Sequence, residues 1–196
     1  MNNLETGDIL LFSGTKSILD RLIEYFTIST WSHVGIVLKD PDFLPIPLKG
    51  YYLWESCDER FGDSETSEFK FGVEIADLKK VLDESKGNQK IYYRKVNFDK
   101  SVKENIKSKL LNIYNETLNK PYDIVPKDWV DAYVQKDKNP QKTDRYFCSA
   151  LTGYIFTKLG CLKEDTDWSI MRPCDFDIDS KYQFENMELG GLIPIS

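Results

Sequence analysis

Apolar residues in this chain come in short, dense runs bounded by turn residues, which favours strands over long helices. Gly7–Phe12 (GDILLF), Trp31–Leu38 (WSHVGIVL), Tyr51–Ser56 (YYLWES), Phe71–Ile75 and Lys90–Val96 are strand-length and rich in β-branched or aromatic residues. The longest fully apolar stretches, such as Ile9–Phe12 and Val34–Leu38, fall far short of the ~18–20 residues of a membrane-spanning helix. Helical spacing occurs toward the two ends of the chain. Ser17–Thr27 repeats Ile18, Leu22, Tyr25 and Phe26 behind a capping Ser17. Ser101–Leu118 aligns Val102, Ile106, Leu110, Ile113 and Leu118, and Asn119–Asp123 (NKPYD) ends it. Arg145–Leu159 reads as a buried helix closed by Gly160. Asp77–Leu82 and Trp129–Val134 are shorter helical candidates. The proline-bearing stretch Asp40–Lys49 and the link Gln135–Thr143 read as loops, Cys57–Lys70 as a mobile surface loop, and the tail from Cys161 as irregular. Helices outside and strands within predict an α+β fold with an antiparallel sheet, as a single domain over 1–196.

Composition narrows the partners. With 41% hydrophobic and 30% charged residues the chain is globular, and its net charge of −6 with dispersed lysines offers no basic face for nucleic acid. The N-terminal MNNLETGDILLF lacks both a basic leader and an apolar core, so an intracellular protein with reduced thiols is expected. Four cysteines without a C-x-x-C, beside one histidine, match no common zinc pattern; neither a metal nor a cofactor is expected. Oligomeric state is not written in the sequence.

That one histidine, His33, lies inside a strand-like segment. Period two places Trp31, His33, Gly35 and Val37 on one face. Tyr51, Leu53 and Glu55 share a face of the next strand. An antiparallel register of Val37 with Tyr51 and Gly35 with Leu53 sets His33 opposite Glu55, close enough for the carboxylate to fix the ring's tautomer. Cys148 falls in the first turn of the Arg145–Leu159 helix, with Asp144 as a candidate cap, where free N–H groups and the helix dipole favour a thiolate. Each residue also has a plainer reading. A lone histidine in an apolar strand is more often a satisfied core residue, Glu55 a solvent-facing one, and Cys148 a packed thiol on the stripe of Leu151, Thr152, Ile155 and Leu159. Cys57, Cys161 and Cys174 read as structural thiols, and Asp8 as either a buried structural carboxylate or a turn residue.

Taken in order, GDILLF, WSHVGIV, WES, NKPYD and YFCSALTGYIFTKLG resemble the circularly permuted branch of the NlpC-type papain-like superfamily, over residues 7 to 160. YiiX-like bacterial proteins and poxvirus and other large-virus proteins belong to that branch. The resemblance implies a papain-like antiparallel sheet or half-barrel packed on a cysteine helix. It implies Cys148 as nucleophile, His33 as general base and Glu55 as the orienting third residue, with an acyl-thioenzyme intermediate. Amidase, peptidase and acyltransferase activities in the family make a peptide, a lipid or another acyl compound the expected substrate. A viral origin would place the protein in host cytoplasm or virion. Tyr122 and Asp123 match a family-like segment that lines the cleft or simply turns the chain, and Arg172–Phe176 (RPCDF) is expected to pack near it. The competing functional reading is a lipid- or acyl-binding or structural protein, such as a virion component, that keeps the fold without turnover.

Overall fold

The structure is a computed structural model describing residues 3–14, 30–58, 64, 71–123 and 143–195. Six strands form one antiparallel sheet: β1 (Ile9–Ser13), β2 (Trp31–Lys39), β3 (Tyr51–Asp58), β4 (Phe71–Asp77), β5 (Lys90–Phe98) and β6 (Met187–Pro194). Their spatial order is β4-β3-β2-β1-β5-β6. Helices α1 (Leu78–Ser85), α2 (Lys100–Lys103), α3 (Ile106–Thr117) and α4 (Cys148–Leu159) complete the described elements with two short 3-10 turns, Trp168–Ile170 and Pro173–Phe176. The expected helices at 17–27 and 129–134 lie outside the described residues, as does most of 57–70 and 135–143.

Strand alternation sorts side chains into two clusters. Val34, Ile36 and Leu38 of β2, Trp54 of β3 and Ile75 of β4 join the larger one, together with Leu110 and Ile113 of α3 and the apolar residues of α4. Val37, Leu53 and Ala76 join the smaller one, covered by Leu78 and Val81 of α1. Helix α4 is buried on almost every side, which is why its apolar residues are not confined to one stripe.

Four expectations change. Trp31 does not share a face with Val37: Phe12 pairs with His33 but Ser13 with Trp31, so Ser32 is an extra residue that bulges β2 and turns Trp31 into the larger cluster. The Ser101–Leu118 helix is two helices, because Asn105 leaves helical geometry at φ −123° and ψ 11°, and asparagine is a poor helix-interior residue. Cys57 is not in a loop but in β3, buried. The tail is not irregular throughout, since β6 forms the sheet edge; Gly190 and Gly191 absorb the register shift opposite Arg94 and Val96, and a half-exposed edge strand needs no apolar alternation.

Candidate active site

Cys148 is the first residue of α4. Phe147, not Asp144, holds the N-cap position, with extended backbone and no side-chain capping bond. The first-turn N–H groups therefore keep their outward polarity. Three contacts fix this helix end. Ser56 of β3 donates its hydroxyl to the Tyr146 carbonyl at 2.9 Å, Asp123 N–H donates to the same carbonyl at 3.2 Å, and Tyr146 N–H donates to the Pro121 carbonyl at 3.1 Å. Tyr122 packs edge-on against Phe147 at 6.2 Å. The NKPYD segment is thus a strut two residues ahead of Cys148. It docks on β4 at Gly72, whose φ of 151° and 2.2 Å approach of a hypothetical Cβ to the Lys120 carbonyl leave room for glycine alone.

His33 projects from β2 beside Phe12, which packs edge-on at 5.3 Å. Its Nε2 bonds Glu55 Oε2 directly. The register differs from the expected one. Val37 pairs with Leu53 and Lys39 with Tyr51, two residues from the Val37–Tyr51 pairing. A shift of two preserves the face, so His33 and Glu55 still meet, but diagonally. Burial pulls the His33 pKa down, yet the charges of Cys148 and then of Glu55, with hydrogen bonds to both, outweigh it and raise the ring from 6.5 to about 10. The structure therefore brings Cys148, His33 and Glu55 into one electrostatic unit. Cys148 is 2% exposed and the His33 side chain 15%, so the ring is the more open member.

The other cysteines separate. All four are free. Cys161 is buried, and burial pushes its thiol up to about 12, an unreactive state. Cys57 donates to Glu74 Oε1 at 3.0 Å. Glu55, Cys57 and Glu74 form the one group of metal-binding donors among the described residues, with one ligand atom from each within 4.8 Å of the others. Asp8 is a structural carboxylate: fully buried, it accepts from Glu5 N–H, Val96 N–H and Lys95 Nζ at 2.7–2.9 Å. The RPCDF turn packs on β1 and β2, the His33 strand. Sequence reasoning missed Ser56 and Glu74. Strand alternation puts Ser56 on the face opposite Glu55, but its contact with Tyr146, 90 residues away, leaves no local signal.

No helix of the described residues is long and apolar enough to cross a membrane. No curated protein matches the chain. Among solved structures, that of the metalloprotein YiiX from Escherichia coli O157:H7 superposes with a TM-score of 0.52 at 18% identity, covering 98% of this chain and 96% of that one. Such identity establishes a shared fold. The family model of permuted papain-like amidase enzymes, YaeF/YiiX, matches residues 3–190. The chain belongs to this C92 family of permuted papain-like amidases.

Proposed function

We propose that the chain is a cysteine hydrolase whose nucleophile is Cys148, acting on an amide or related acyl bond through an acyl-thioenzyme. The observation that carries the reading is the placement of His33, which bonds Glu55 Oε2 through Nε2 and lies within hydrogen-bond reach of Cys148 at the start of α4, so that both partners raise its pKa. At neutral pH the ring is an imidazolium, and the attacking form of Cys148 is its thiolate. The thiolate attacks the substrate carbonyl carbon, forming the C–S bond and an oxyanion. The Cys148 backbone N–H, in the first turn of α4, would donate to that oxyanion. His33 then gives its proton to the leaving nitrogen or oxygen as the bond to it breaks. Neutral His33 next draws a proton from water as its oxygen attacks the thioester carbon; the C–S bond then breaks, the acid leaves, and Cys148 returns as thiolate beside the reprotonated ring. Glu55 holds the ring's orientation and balances its charge. An acceptor other than water would make the same site an acyltransferase.

The YiiX protein of that solved structure is a metalloprotein. In this chain Glu55, Cys57 and Glu74 would hold such an ion, which would brace the Glu55 carboxylate, and none of the steps above passes through it.

Peptide, lipid-ester and thioester electrophilic probes on wild type and Cys148→Ala test this reading. Labelling at Cys148, absent in the variant, with at least one substrate class turned over, is expected. Labelling at Cys174 instead, or retention of an intact acyl ligand without any covalent adduct, contradicts it and favours a binding protein.

A further inference from the structure

Glu55 uses only one of its carboxylate oxygens in the pairing with His33. Oε2 bonds the ring, whereas Oε1 is buried and has no hydrogen-bond partner. The residue is 2% exposed, and an unsatisfied oxygen at that depth carries a desolvation cost that asks for a partner. Two further donors stand beside it. Glu74 is directly across the β3–β4 ladder from Glu55, and Cys57 is two residues along β3 on the same face. All three are buried. Like charges directly opposite on one sheet face repel, and a dication between them reverses the sign of that interaction.

We propose that Glu55, Cys57 and Glu74 form a buried site for one thiophilic divalent cation of the zinc class. The cation takes Oε1 of Glu55 and leaves Oε2 on His33. Cys57 now gives its S–H to Glu74 Oε1. On binding it becomes a thiolate and that proton goes to solvent, so affinity rises with pH. A thiolate with two carboxylates selects zinc over magnesium or calcium, and three protein donors leave one tetrahedral position open. The ion would fix the Glu55 carboxylate from behind, as outer-shell partners fix ligands at metal centres. The site itself requires no catalytic role for Cys148.

The test uses the full chain carrying Cys148→Ala, so that the other thiol–imidazole pair cannot capture the ion. Cadmium is titrated into chelator-dialysed protein while the ultraviolet thiolate-to-cadmium absorption is read. Zinc is then competed against a chromophoric chelator. One equivalent is expected, displaced by zinc and unaffected by magnesium. Cys57→Ser removes the absorption. Glu74→Gln keeps it but weakens binding by at least the roughly 10–100-fold that loss of an outer-shell partner costs. If Cys57→Ser does not fold, Glu55→Gln and Glu74→Gln decide, since both keep the thiol. Absence of a saturable one-equivalent absorption, or unchanged affinity in both glutamine variants, overturns the site. Electrophile labelling of Cys148 in otherwise wild-type protein is a separate readout, so failure of either proposal leaves the other standing.

Discussion

His33 meets Glu55 on the diagonal of the β2–β3 ladder. Val37 stands opposite Leu53 and Ile36 opposite Trp54, and the two side chains meet past that last pair, with Gly35 between His33 and the paired residues. Gly35 keeps that approach close: a Cβ there would lie 2.8 Å from Leu53 Cδ1 and 3.2 Å from the Trp54 carbonyl. Gly35→Ala must therefore shift Leu53 or spread the ladder, at a cost of about 1–3 kcal/mol. Urea unfolding checks this, with Gly191→Ala, which meets open space, as the near-neutral control. Equal stabilities for the two variants would contradict the packing described.

The strut under Cys148 makes a second prediction. Ser56→Ala leaves the buried Tyr146 carbonyl with one fewer donor and is expected to cost about 1–3 kcal/mol. Because the contact lies two residues ahead of Cys148, the labelling rate at Cys148 should fall in folded protein as well. Ser56→Thr, which keeps the hydroxyl, should restore part of that rate. Lost stability with an unchanged labelling rate would make Ser56 structural only.

Turnover and alkylation should part company at high pH. Departure of an amide nitrogen needs the His33 proton, so turnover by chelator-dialysed protein should decline as pH rises through about 10. Alkylation of the Cys148 thiolate needs no such proton and should not decline there. A pH profile of both rates on one preparation checks this, and parallel profiles would argue against His33 as the acid. His33→Ala should lower turnover by roughly 10²–10⁴.

The same ionisation contributes to stability. A ring whose folded pKa lies above 6.5 stabilises the fold fully below the unfolded value, and that contribution is lost as pH rises through about 10. In Glu55→Gln the loss should set in at lower pH, because one of the raising charges is gone. Denaturation midpoints between pH 6 and 10.5 report it, and identical profiles for wild type and variant would contradict the pairing.

Much of this arrangement is legible in the chain. Short apolar runs place β1 to β5, and the helix that begins at Cys148 is marked by its continuous apolar content and Gly160. The face shared by His33 and Glu55 follows from period two, and survives a register two residues out because the period is even. What was not legible depends on contacts between distant segments. The Ser32 bulge, the anchoring of Tyr146 by Ser56 and Asp123, and the placing of Glu74 against Glu55 are set by tertiary pairing, and no local pattern records them. Strand β6 escaped notice because an exposed edge carrying two glycines and a proline lacks the alternation that marks a half-buried strand.

The central claim is a Cys148 thiolate facing a His33 imidazolium, and the sequence offers an unusually clean probe of it. His33 is the sole histidine, so its ring gives an unambiguous signal in a proton–carbon NMR titration. In chelator-dialysed wild-type protein the midpoint should lie near 10, and in Cys148→Ala it should fall, because the largest raising charge has been removed. A midpoint near 6.5 in both proteins would contradict the account.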